Sequence, residues 1–202
     1  MASFEKIALL GFLPWTDAAR GVAVRENPAL LASLRAARAL RRQGFEVACL
    51  AVPVSDEGVV DAVRAAERLE AGVVIGCGQT LTAPRVERFG RAPSRLAPPT
   101  PGEEPPWLLA PDATALARML QRHALPEARL EPMRVSDDAG GYYCDHLCVE
   151  LARLSRRRPV RARFLHLTAI DGCAPALRSA RLEQYAHQLV VLVRHLARRR
   201  KA

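Results

Sequence analysis

Aromatic side chains supply only 5% of the 202 residues. None of them interrupts the arginine runs Arg156-Arg157-Arg158 and Arg198-Arg199-Arg200-Lys201. Proteins that grip single-stranded nucleic acid interleave basic and aromatic residues so that bases can stack. The formal charge of +9 therefore reads as a solvated surface on an arginine-rich, alanine-rich chain, and a nucleic-acid partner is not expected. No apolar run is long enough to cross a bilayer. Met1-Ala2-Ser3-Phe4-Glu5-Lys6 leads directly into strand-like residues, without a basic-then-apolar leader. The five cysteines fall at no regular spacing, which points to reduced thiols in a soluble, cytoplasmic protein. Cys49 and Cys77 lie in apolar strand-like runs and Cys148 on an apolar helical face, so these three read as small core residues. Cys144, Cys148, His146 and His166 lack zinc-finger spacing. Gly76-Cys77-Gly78-Gln79 lacks the lysine and further glycine of a phosphate-binding turn. Neither a metal nor an organic cofactor is implied.

What is present is an alternation of strand and helix patterns in a chain that is half hydrophobic, enough for one sizeable core. Residues 7–12 read as a buried strand. Asn27-Pro28 reads as cap and first residue of a helix that runs to about Arg42 and stops at Gly44. A second strand follows over 45–52. Ser55 caps a helix that turns Val59, Val60, Val63 and Ala66 to one side, and 72–78 is continuously apolar, as a central parallel strand should be. From Gln79 to Trp107 the pattern breaks, and residues 97–106 form a proline-rich loop, of a kind that is usually functional or disordered. Asp112 is expected to cap a helix to about His123. A strand is expected near 129–135, and a final helix from Ser179 should bury Tyr185, Leu189, Leu192, Val193 and Leu196. The whole implies one domain, 1–202, with a basic tail at 198–202: an α/β/α sandwich around an open, mainly parallel twisted sheet. In such sheets the site lies at the carboxyl ends of the strands, where Phe12, Gly78 and His166 fall.

The most informative segment is 135–147. A polar loop with Gly140-Gly141 leads into Cys144, and Leu147, Cys148, Leu151 and Leu154 recur at helical spacing. Cys144 is thus placed in a first helical turn, beside free N–H groups and the positive end of the dipole, which should lower its pKa. Phe164-Leu165-His166 puts a histidine near a strand end. A cysteine entering a helix and a strand-end histidine are the minimum equipment for thiol acyl transfer. His146 points away on its helix and reads as structural. Phe12 and Trp15 fit either a pocket or ordinary core.

Five pieces, in order, resemble the pyroglutamyl peptidase I (pyrrolidone carboxyl peptidase) family. Gly11-Phe12-Leu13-Pro14-Trp15 is similar to its GFxPF, Asn27-Pro28 to its NP, and residues 74–79 to its strand ending in GQ. Residues 136–147 resemble S-x-x-A-G-x-Y-x-C-N-H-L, and Phe164-Leu165-His166 resembles F-I-H. The resemblance implies a cysteine exopeptidase that removes an N-terminal pyroglutamyl residue from peptides, with Cys144 as nucleophile and His166 as base. It implies Phe12, Trp15, Tyr142 and Tyr143 as aromatic walls around the pyrrolidone ring, Gln79 at the lactam amide, and Arg95 near the oxyanion. It also implies a homo-oligomer, a tetramer by the family's habit. Two departures stand out. The family's A-G-G-R stretch is missing after Gln79, and its I-T-x-E-R-V segment reads Leu81-Thr82-Ala83-Pro84-Arg85-Val86. Proline thus occupies the place of the glutamate that orients the histidine. Glu87 is nearby, but counting along a strand from Pro84 sends it to the opposite face. Either a register slip brings Glu87 in, or the third member is lost and the chain is a weakened homologue that binds or slowly modifies pyroglutamyl-like amides.

Overall fold

Ile7–Phe12 (β1) is buried at every position, as a strand flanked by two others and covered on both faces must be. The computed structural model describes residues 5–17 and 22–198. After β1 come Trp15–Asp17 (β2) and Val22–Val24 (β3), which pair antiparallel. Then follow Pro28–Arg42 (α1), Val47–Val52 (β4), Asp56–Arg68 (α2), Val73–Thr80 (β5), Arg85–Glu87 (β6), Phe89–Gly90 (β7) and Trp107–Leu108 (β8). The remainder is Ala113–Arg122 (α3), Arg134–Ser136 (β9), Tyr143–Arg157 (α4), Arg161–Thr168 (β10) and Pro175–Arg198 (α5).

The central sheet has the order β4-β1-β5-β10-β6-β9. Its first four strands are parallel; β6 runs antiparallel to β10, and β9 follows β6. One face carries Ile7, Leu9, Val73, Ile75, Leu165 and Leu167 against α1, α3 and α5. The other carries Ala8, Leu10, Val74 and Phe164 against α2 and α4. This is the expected α/β/α sandwich, with two antiparallel strands added at one edge.

Local chemistry explains most boundaries. Asn27 Oδ1 accepts from Ala29 N at 3.0 Å and its amide donates to Leu13 O at 3.3 Å. One side chain thus caps α1 and fixes the chain leaving β1. Ser55 Oγ accepts from Gly58 N at 3.0 Å, starting α2. The α5 residues Tyr185, Leu189, Leu192, Val193 and Leu196 are all buried, although the helix starts at Pro175, four residues before the expected start at Ser179. Asp112 stands at the cap position of α3 but makes no capping bond; its carboxylate lies 2.7 Å from Arg163 instead. The strand expected over 129–135 shrinks to β9, because Pro126–Ala128 forms a 3-10 turn and Arg129 takes a left-handed φ of 46°.

The loop 97–106 is fastened by Arg153, which is 5% exposed. Its guanidinium donates to Ala97 O at 2.7 Å, Pro98 O at 3.2 Å, Glu150 at 2.6 Å and Glu103 at 2.9 Å. The prolines are thereby tied to α4. The basic tail beyond residue 198 lies outside the described residues.

Candidate active site

Gly76 and Gly78 face the α4 side of β5, two residues apart. A Cβ on Gly76 would stand 2.7 Å from the Phe164 ring. A Cβ on Gly78 would stand 2.6 Å from Cys144 Sγ, 2.9 Å from Phe164 and 3.1 Å from His166 Cδ2. The two missing side chains therefore leave the room into which thiol and imidazole converge.

Cys144 is the second residue of α4, as expected. Gly140 and Gly141, at φ of 96° and 66°, turn the chain back from β9 into the helix. The N–H groups of Asp145 and His146 both reach Tyr142 O, at 2.7 and 3.1 Å, so those of Tyr143 and Cys144 remain as first-turn donors beside the thiol. The expected low thiol pKa is not found. Burial pushes Cys144 up to about 12, the charge of Glu87 adds to the rise, and Arg85 opposes it. Cys144 is half-buried as a residue, but its sulfur is packed against Phe164 and the Gly78 backbone, and loss of water around it disfavours the thiolate.

His166 Nδ1 lies 2.6 Å from Glu87 Oε1, and Glu87 is fully buried. Of the two alternatives that the sequence left open, the geometry has Glu87 against the imidazole. Counting along the strand placed Glu87 opposite Pro84 correctly, but His166 lies on the Glu87 face. The register decides it: His166 pairs with Arg85, so Arg85 and Glu87 share the His166 side. Pro84 instead lines a cavity of about 240 Å³ with residues of the α3–α5 side such as Gln121 and Gln188, and its carbonyl accepts from Arg134 N at 2.9 Å. Burial works to raise the Glu87 pKa, but the hydrogen bond and charge of His166 and the contact with Arg85 outweigh it and hold the carboxyl below its usual range. Burial likewise holds His166 below its ordinary value, against the pull of Glu87. With the carboxylate ionised, Nδ1 must donate, which leaves Nε2 as the lone-pair nitrogen.

The other expected residues fall as follows. Phe12 is 3% exposed and, with Tyr143, belongs to the apolar cluster that holds Cys144. Trp15 is half-buried in β2. Tyr142 is the cap residue of α4 and 53% exposed. Gln79 pairs with Leu167, whose side chain faces α5, so alternation sends the Gln79 side chain away from Cys144. Its backbone is placed differently. Thr80 O accepts from Ala169 N on the β10 side, so the N–H and C=O of Gln79 turn toward β1, whose pairing with β5 ends at Gly11 and Cys77. Arg95 is exposed on its loop, and the cation that acts on the thiol is Arg85. His146 lies 2.9 Å from Asp56, joining α4 to α2, which agrees with a structural reading.

Sequence reasoning passed over Arg85 and Asp145. Asp145 is 1% exposed and accepts from Arg91 N at 2.8 Å and Ala92 N at 2.9 Å. It thereby pins the loop after β7 beside the nucleophile. Arg85 could have been found from its spacing of two from Glu87. Among the described residues there is no cluster of metal-ligating side chains, and no helix is long and apolar enough to cross a membrane.

No protein-family model and no curated protein matches the sequence. Solved structures do. A crystal structure of pyroglutamyl peptidase I from Bacillus amyloliquefaciens superposes with a TM-score of 0.70 at 19% identity, over 95% of this chain and 98% of that one. The chain has the fold of the pyroglutamyl peptidases. Pyrrolidone carboxyl peptidase from Thermococcus litoralis gives 0.67 at 17% identity, covering 96% of this chain and 95% of that one. A mutant pyrrolidone carboxyl peptidase from Pyrococcus furiosus gives 0.64 at 18%, covering 95% and 99%. The pyroglutamyl-peptidase fold thus spans nearly the whole chain, at identities that speak for architecture alone.

Proposed function

We propose that this chain is a cysteine exopeptidase that hydrolyses an N-terminal pyroglutamyl residue from peptides through a thioacyl-enzyme. The observation that carries this reading is the convergence of Cys144 and His166 on Gly78, with Glu87 2.6 Å behind the imidazole. A pyroglutamyl residue has no charged amine, only a small lactam with one donor and one acceptor. Its recognition calls for an apolar slot and a few directed hydrogen bonds. Phe12, Trp15 and Tyr142 are the candidate walls, and the backbone C=O and N–H of Gln79 are complementary to the lactam edge.

In the first step His166 Nε2 takes the thiol proton as Sγ attacks the pyroglutamyl carbonyl carbon. The carbonyl π electrons move to oxygen, where the first-turn N–H groups of α4 receive the charge. Collapse of this intermediate expels the peptide amine, which takes the proton from Nε2. Water then attacks the thioester, its proton passes to His166, and the sulfur leaves and recovers a proton. Glu87 keeps the imidazole in the Nδ1–H tautomer and stabilises its cation. A neutral resting thiol requires that proton transfer and attack proceed together.

One observation favours the second reading, a weakened homologue: the thiol lifted to about 12, in a chain that lacks the glycine-rich stretch after Gln79. Hydrolysis of a fluorogenic pyroglutamyl amide by the purified, reduced protein and by Cys144→Ala decides between them. Multiple turnovers that vanish in the variant support the peptidase. One slow thioacylation event per Cys144 without turnover supports the weakened homologue, and equal activity in both proteins sinks both readings.

A further inference from the structure

Arg85 occupies an unusual place for a cation. It is the direct register partner of His166, and its Nε donates to Glu87 Oε1 at 2.7 Å. That is the same oxygen that His166 Nδ1 meets at 2.6 Å. One buried carboxylate oxygen thus joins a guanidinium and an imidazole. The far end of Arg85 is also anchored. Its Nη1 donates to Thr82 Oγ1 at 3.0 Å, that hydroxyl meets Thr80 Oγ1 at 3.0 Å, and Thr168 Oγ1 donates to Thr82 O at 2.9 Å. The guanidinium is therefore held between the carboxyl ends of β5 and β10 and the carboxylate at the back of the site.

We propose that Arg85 is a positioning residue: it keeps the Glu87 carboxylate ionised and aimed at His166, and so sets the pH range in which His166 can act as the base. The inference rests on the peptidase reading for its activity assay but not for its physical readouts. A carboxylate shared between a fixed guanidinium and an imidazole attracts a proton to that imidazole less strongly than an uncompensated one. Among the charged and titratable groups facing His166, Glu87 and Asp145 draw a proton to the imidazole and Arg85 opposes them. From β6 come Arg85 and Glu87, from α4 come Cys144 and Asp145, and β5 contributes the uncharged Gly78. Arg85 acts in the same sense on both reacting groups, lowering His166 and Cys144 alike, so a neutral base and an accessible thiolate are favoured together.

The test compares the protein with Arg85→Met and Arg85→Lys. Imidazole NMR should show the His166 titration moved upward by about one pH unit in Arg85→Met and returned most of the way in Arg85→Lys. The acid limb of kcat/KM should move by the same amount in the same direction, and Cys144 alkylation at fixed pH should slow in Arg85→Met. A fall in kcat/KM with an unmoved acid limb and an unmoved His166 titration would overturn the proposal and leave Arg85 a structural tie. If no pyroglutamyl amide is cleaved, the NMR and alkylation shifts still decide the role of Arg85. Should Arg85→Met fail to fold, Arg85→Lys set against Thr82→Ala, which frees the far end of the guanidinium, supplies the same readouts.

Discussion

Gly78 and Cys144 share one volume: the place where a Cβ of Gly78 would stand is 2.6 Å from Cys144 Sγ. The relationship crosses from the central strand of the sheet to the first turn of α4, and it makes the glycine a condition for the thiol's position. Gly78→Ala should overpack the site, at a cost of about 1–3 kcal/mol, and should displace Sγ from His166. Activity on a pyroglutamyl amide is expected to fall by more than the loss of folded protein explains. Near-native kcat/KM with a near-native Tm would refute the packing argument.

Glu87→Gln keeps the size of the side chain but removes the charge that holds the imidazole tautomer. By the logic of the serine-protease aspartate, the loss is about four orders of magnitude in kcat for a hydroxyl nucleophile, and a thiol should lose less, about two to three. Pro84→Glu is expected to give no gain, because that position faces the cavity near Gln121 and Gln188 rather than His166. A rate increase in Pro84→Glu would show that the orienting carboxylate belongs at 84 after all.

The elevated Cys144 thiol makes a prediction about chemical reactivity that needs no substrate. The rate of alkylation by iodoacetamide should still be rising with pH at 9, with no plateau near neutrality, since only the thiolate reacts. Measured by mass spectrometry on the intact protein, a plateau at pH 7 would mean that the helix terminus outweighs burial.

Protonation of the buried pair should also be felt in stability. His166 is held below its unfolded value of about 6.5. As pH falls through that value the unfolded chain binds a proton that the folded chain refuses, so stability present above it is lost. Glu87, also held below its unfolded value, adds a loss of the same sign at more acidic pH, below about 4.3. The unfolding free energy from urea titration should drop between pH 7 and 5, and the drop should be smaller in His166→Gln. Parallel decreases in both proteins would remove His166 from the account.

Much of this was legible in the sequence because it is local. Asn27-Pro28 starts α1, and the apolar run 72–78 becomes the heart of β5. The spacing Leu147, Cys148, Leu151, Leu154 gives the buried face of α4. The orienting carboxylate was not legible. A three-residue strand has no periodicity of its own, and the face of Glu87 is set by pairing with residues about 80 positions downstream. The thiol pKa was misjudged for a related reason. A helix terminus can be read from sequence, whereas the packing of Phe164 and the Gly78 backbone around the sulfur depends on the assembled core. Gln79 was placed near the substrate, yet which part of it faces the site follows only from the ladder.

The order of the sheet bears on how the site comes into being. β5 and β6 are neighbours in sequence but not in space, because β10, the last strand of the chain, lies between them. As the chain emerges during synthesis, the nucleophile, the carboxylate and the glycine slots all precede the base. They remain two separated half-sheets with open edges until residues 161–168 slide into the gap. Closure of the sheet and assembly of the reacting groups then coincide, and a nascent chain that carries Cys144 lacks its base until residues 161–168 have joined the sheet.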